Sequence, residues 1–192
     1  MMKYTTVLIF LIFISCGNKD SKVLKSENNG KNITSESKRK PLPFFEFDEV
    51  VYYHVDDKLD KEWGNLRRNK NRTNEESRFL DIFIRNHPKS LNDKQFISDL
   101  EKFYPNKKEI KSNKFKEINN IFCEKFYGDY SLAGCIAIYR DILIFKKNKT
   151  VVGISKICFQ CYLHQTIGTK RNTDQLGQNG DYEKLENILK SL

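Results

Sequence analysis

"CIAIYRDILIFKKNKTVVGISKICF", residues 135–159, decides the fold. It contains two runs, Cys135 to Phe145 and Val151 to Phe159, that are apolar at both odd and even positions. Successive side chains of a strand point to opposite faces, so a strand apolar on both sides is covered on both sides. The polar stretch "KKNK" (146–149) separates the runs. The segment therefore reads as a hairpin, about 135–159, at the centre of a covered sheet.

Three charges interrupt it: Arg140 and Asp141 on the first strand and Lys156 on the second. With a turn centred between Asn148 and Lys149, Asp141 opposes Lys156 and Tyr139 opposes Cys158. Opposed residues share a face, so Asp141 and Lys156 are expected to form a structural ion pair. It contributes about 0.2–1 kcal/mol if half exposed. If it is buried, losing one partner costs several kcal/mol. Arg140 falls on the other face with Ile138 and Ile142. A charge in an apolar strand is either such a structural partner or a functional group.

Upstream, "EFDEVVYYHV" (46–55) is rich in Val, Tyr and Phe and reads as a strand. The charged run 56–72 reads as loop. Thr73 with Glu76 three residues on, and Pro88 at the far end, predicts a helix opened by a capping box, with the strand alternation of Leu80, Ile82 and Ile84 as the competing reading. Phe96, Ile97, Leu100 and Phe103 lie on one helical face that ends before Pro105. Phe115, Ile118 and Phe122 predict a short helix capped by Ser112 or Asn113. Downstream, Gln165 to Thr169 reads as a third strand, and a final amphipathic helix after Gly180 turns Leu185, Ile188 and Leu189 inward. The expected architecture is one α+β domain over residues 44–192, a mostly antiparallel sheet with packed helices.

The first residues, "MMKYTTVLIFLIFISCGNKD", carry a positive start at Lys3, an unbroken apolar run from Val7 to Ile14 and a small Ser15 before Cys16. This is the layout of a secretory signal, and the run is too short to span a bilayer. Phe13-Ile14-Ser15-Cys16 resembles a bacterial lipobox, with Phe13 where leucine is commonest. The resemblance implies a signal peptide over 1–15, cleavage before Cys16, lipid on the Cys16 sulfur and an acyl chain on its amine. Two or more buried chains anchor a protein stably where one does not. Residues 16–43 are Lys-, Ser- and Asn-rich and end in two prolines, which suits a flexible tether. Gly17-Asn18-Lys19-Asp20 resembles the export tags of Bacteroidota surface lipoproteins.

The chain holds 34 Lys and Arg against 25 Asp and Glu. Seven of the bases and three of the acids lie in the tether, where they suit anionic head groups. The domain from Phe44 keeps 26 bases and 22 acids. Only "NLRRNKNR" (65–72) is densely basic, and the anchor argues against nucleic acid as a partner.

With Cys16 lipidated, Cys123, Cys135, Cys158 and Cys161 remain as structural disulfide candidates. An exported compartment favours pairing. Both Cys135–Cys161 and the short Cys158–Cys161 loop are sterically open, and sequence does not choose between connectivities. Cys158 and Cys161 with His164 also suit a zinc or thiol-redox site. A second close ligand pair is missing, though, and the segment after Cys161 has no helical period to activate a thiol. His54, Asp56, Asp57 and Asp60 cluster without calcium-loop spacing and read as a solvated loop. His87 reads as a surface residue. No metal or cofactor is called for.

Tyr139-Arg140-Asp141, Lys156-Ile157-Cys158-Phe159, Cys161, Gly168 and Gly180-Asp181-Tyr182 together resemble a family of uncharacterised Bacteroidota lipoproteins and secreted proteins. The likeness spans Tyr139 to Leu189 and carries no activity with it. It implies a domain in the bacterial cell envelope, lipid-anchored to a membrane, with the outer membrane, on its periplasmic or surface side, as the expected site. The leading expectation is a non-enzymatic binding or protective module of immunity type with a protein partner. Phe44, Phe45, Tyr52, Tyr53 and Trp63 are its candidate anchors. The competing expectation is an envelope enzyme using Cys158, Cys161 and His164.

Overall fold

A computed structural model describes residues 41–126 and 134–192. Cys16, the signal segment and residues 16–40 of the tether lie outside them. The elements in chain order are β1 (Glu49–His54), α1 (Asp60–Arg68), α2 (Asn74–Ile84), α3 (Lys94–Phe103), β2 (Asn106–Glu109), α4 (Phe115–Ile121), β3 (Asp141–Lys147), β4 (Thr150–Cys158), β5 (Leu163–Ile167) and α5 (Asp181–Lys190). Short 3-10 turns precede α1 and α4. The five strands form one antiparallel sheet in the order β2-β1-β3-β4-β5. The α+β expectation holds, with the predicted hairpin at the sheet's centre.

Helices cover both faces, which is why the central strands are apolar on both sides. On one face Val50, Tyr52, Leu143, Phe145 and Ile157 pack with residues of α4 and α5. On the other, Val51, Tyr53, Ile142, Ile144 and Ile154 pack with residues of α2 and α3. Gly153 sits where the Phe45 ring presses on β4, and a Cβ there would collide with the ring. The glycine thus marks a close approach to the backbone.

The hairpin turn has two residues, Asn148 and Lys149, with φ of 48° and 65°. Positive φ at both central positions matches the twist of paired strands. The turn accordingly sets Lys147 opposite Thr150 and Lys146 opposite Val151, as expected. A bulge then intervenes: Phe145 pairs with Gly153, and Val152 is the extra residue. Beyond it, Asp141 opposes Ile157 and Ile142 opposes Lys156. A one-residue slip moves a side chain to the other face. Asp141 and Lys156 therefore lie on opposite faces of the sheet, and the expected ion pair does not form.

Helix α2 opens as predicted: Thr73 accepts from the Glu76 backbone N–H, and the Glu76 carboxylate accepts from the Thr73 N–H. Such a cap contributes about 1 kcal/mol. Helix α3 is capped by Asp93 instead. Helix α4 starts without a side-chain cap, so Ser112 and Asn113 do not serve as predicted. Two elements differ from the sequence reading. Residues 60–68 are helical rather than loop, with Trp63 and Leu66 turned partly inward. The Arg72 guanidinium closes the end of that helix by donating to the carbonyls of Leu66, Arg67 and Asn69. Strand β2, "NKKE", is wholly exposed and gains its form only from pairing with β1. Its lysines suit an edge that must not attract other strands.

A candidate recognition cleft at the end of β1 and β3

β1 ends at His54 and β3 begins at Asp141, and the two are cross-strand partners. Partners on one face hold their Cβ atoms about 5 Å apart, so their side chains meet. His54 Nδ1 lies 2.8 Å from Asp141 Oδ1. Tyr52, two residues earlier and so on the same face, donates its hydroxyl to the same oxygen at 2.5 Å. One nearly buried carboxylate thus accepts from a phenol and an imidazole. The bond to Asp141 raises the His54 pKa above the usual histidine value, against an opposing push from burial. Burial first, and Asp141 second, hold the Tyr52 phenol far above its usual range. Tyr52 is therefore a fixed donor. Nδ1 of His54 carries the proton toward the carboxylate, and Nε2 is left for other partners.

Arg140 precedes β3, and its side chain is only 7% exposed. Its Nε lies 2.9 Å from Asp57 Oδ1 and its Nη1 donates to Gln160 Oε1 at 3.3 Å. Asp56 Oδ1 stands 3.6 Å from His54 Nε2. These groups floor a cleft of about 590 Å³ that Ile138, Phe159 and Leu189 wall on the apolar side. Asn106, Lys108, Glu186 and Lys190 also line it. A concave site with few convergent polar groups and apolar walls is the usual form of a ligand pocket. Its described lining includes no serine, threonine or cysteine to act as a nucleophile beside His54.

The expected binding anchors fare differently. Phe44, Phe45, Tyr52 and Tyr53 are buried, because β1 is covered on both faces and the segment before it feeds the core. They are packing residues, and only the Tyr52 hydroxyl reaches the cleft. Trp63 is partly buried on α1 and meets Phe83 edge-on at 6.2 Å. The cleft opens instead at the cluster read as a solvated loop. His54, Asp56 and Asp57 line the cleft, drawn in by Asp141 and Arg140. Strand alternation puts Tyr52 and His54 on one face; the signal absent from the sequence is the register that brings Asp141 to them.

Cys135 and Cys161 form a disulfide, with Cα atoms 6.0 Å apart. Cys123 and Cys158 are buried free thiols and not disulfide partners. Cys158 Sγ accepts the Ile138 N–H at 3.3 Å, and the Cys123 thiol donates to the Asn120 carbonyl. His164 on β5 pairs with Ile157 and so lies on the opposite face from Cys158. Burial lowers its pKa. The Cys158, Cys161 and His164 constellation is therefore not assembled. Among the described residues no three His, Cys, Asp or Glu side chains converge as metal ligands would.

Lys156 is fully buried on the far face. Its Nζ donates to the carbonyls of Arg85 and His87, the latter at 2.7 Å, and lies 4.3 Å from the Tyr139 ring centroid. Burial, with Lys89 adding to it and Asp81 opposing, pushes its pKa down to about 6. A neutral amine keeps two N–H bonds, enough for the two carbonyls, and the ring face favours the ammonium when it forms.

No protein-family model, curated protein or solved structure matches the chain.

Proposed function

We propose that the protein is a lipid-anchored envelope lipoprotein, akin to the Bacteroidota lipoproteins its last third resembles. Its domain is a non-enzymatic binding module with the β1/β3 cleft as its recognition site. Lipid on Cys16 and a polar tether hold the domain at a membrane. Among the described residues no helix is long and apolar enough to cross one. The observation that carries the binding reading is the charge at the cleft floor. Asp141 and Arg140 are 9% and 5% exposed there, though the apolar core needs neither. Buried charges are costly to maintain and seldom add stability over an apolar replacement. Their position beside an open cavity supports a role in recognition. An immunity-type task, capture of a protein delivered by a neighbouring cell, is the concrete form this takes.

Two measurements test it. Labelled fatty acid should enter the wild type and not Cys16→Ser; equal labelling, or none in either, removes the anchor. A photoreactive residue at Asn106, on the cleft rim, should give a defined adduct in living cells, and the same group at the exposed Lys116 on α4 should not. No adduct from Asn106, or equal adducts from both, removes the binding module.

A further inference from the structure

Two exposed acids sit on a buried arginine and a partly exposed histidine. Asp57 Oδ1 is 2.9 Å from Arg140 Nε, and their side chains are 78% and 7% exposed. Asp56 Oδ1 is 3.6 Å from His54 Nε2, at 64% and 31% exposure. The acids are consecutive, on the segment that leaves β1. The two basic groups are held from below: His54 by Asp141 and Arg140 by Gln160.

The energetics of the two sides differ. An exposed carboxylate that swings into water loses little, since exposed ion pairs contribute about 0–1 kcal/mol. An arginine as buried as Arg140 cannot lose a compensating anion cheaply. The basic groups, anchored from below, are therefore the fixed half of the arrangement and the acids the replaceable half. The remaining acids of the cleft are already matched. Asp141 accepts from Tyr52 and His54, and Glu186 holds Lys190 at 2.7 Å. An incoming anion would thus meet the Arg140 guanidinium and the His54 Nε2 edge once Asp57 and Asp56 swing away, against walls from Ile138, Phe159 and Leu189 that suit an aliphatic spacer.

We propose that Asp56 and Asp57 stand in for an external ligand, and that the cleft binds a carboxylate-bearing molecule that displaces them from His54 and Arg140. The inference rests on the binding reading above and names its ligand chemistry. A carboxylate fits because the two stand-ins are carboxylates and a guanidinium edge matches that planar group. Two sources share the chemistry: a small dicarboxylate, or an acidic segment of a protein partner. The internal acids act as a built-in competitor, and the intrinsic affinity is multiplied by the fraction of molecules in which they have left.

Calorimetric titration of the full chain in detergent tests this with three probes: succinate, N-acetyl-Asp-Asp-amide and neutral succinamide. At least one carboxylate probe should bind, and succinamide should not. The D56N/D57N variant should bind about tenfold tighter than wild type, because its competitor is gone. His54→Gln should bind more weakly. Asp56→Asn alone, at the longer contact and beside the less buried basic partner, provides a milder variant and should tighten binding about threefold on the same basis. Preference for the peptide assigns the ligand to a protein partner, and equal or better binding of succinate assigns it to a small solute. Heat from no carboxylate probe, equal binding of succinamide, or unchanged or weaker binding by both acid variants overturns the proposal. In those cases a surviving Asn106 adduct leaves the binding module standing and removes only its ligand; loss of the adduct as well removes both.

Discussion

Asp141 and Lys156 lie one register step apart across the same hairpin, yet they occupy opposite environments. Asp141 is at the lip of a cleft, answered by side chains: a tyrosine, a histidine and, nearby, an arginine with its own acid. Lys156 is sealed under the loop after α2 and answered by backbone carbonyls. The first arrangement keeps charge by pairing it and leaves room for exchange with solvent. The second tolerates a polar atom by lowering its charge and satisfying its hydrogens. Under the proposed reading the first serves recognition; the second holds the 85–88 segment onto the sheet.

Removing Lys156 should give the largest effect. Lys156→Ala leaves a cavity and two unpartnered carbonyls, and should cost about 3–5 kcal/mol in urea unfolding. A cost below about 1 kcal/mol would mean that the site is not sealed. The pH profile sharpens the point. The folded pKa is about 6, whereas an unfolded lysine titrates near 10.5. Between those values the unfolded chain binds more protons, so this group makes stability rise with pH through the window. Lys156→Met should flatten that rise, and a Met variant with the wild-type slope would contradict a largely neutral amine.

Asp141→Asn should come next, at about 2 kcal/mol, because it removes the charge from two hydrogen bonds. NMR titration should show the His54 midpoint falling back toward about 6.5. The sign is opposite to that of Lys156. His54 is raised in the fold, so its contribution is complete below the unfolded value and is lost as pH climbs through the folded one. A His54 midpoint unmoved in Asp141→Asn would break the pair. Tyr52→Phe should be the mildest, about 1 kcal/mol, since it removes one donor and leaves Asp141 with His54. A loss as large as that of Asp141→Asn would mean the phenol and not the imidazole anchors the carboxylate.

The charged residues show how far sequence reasoning reached. Arg140, Asp141 and Lys156 stood out inside apolar strands, and each needs compensation. The partner given to Asp141 was wrong because a single extra residue, Val152, shifts the strands between the turn and the charges. The bulge accommodates Phe45 over Gly153, a contact from more than a hundred residues away in the chain. The same distance effect hid the cleft. His54, Asp56 and Asp57 looked like a solvated loop because their partners lie about 85 residues downstream. Helix α1 was hidden by its polar surface, although Trp63 and Leu66 are three apart. Strand β2 had no local signal at all, since its only support is β1.

Local chemistry settled the helix that Thr73 and Glu76 open, the tight Asn148–Lys149 turn and the doubly covered strands. These depend on groups a few residues apart and on the two-residue alternation of a strand. Tertiary packing alone settled which sulfur bonds to which, which face each buried charge occupies and where a cleft opens. Those outcomes turn on register and on contacts between distant segments, where one inserted residue reverses the side on which every following side chain emerges.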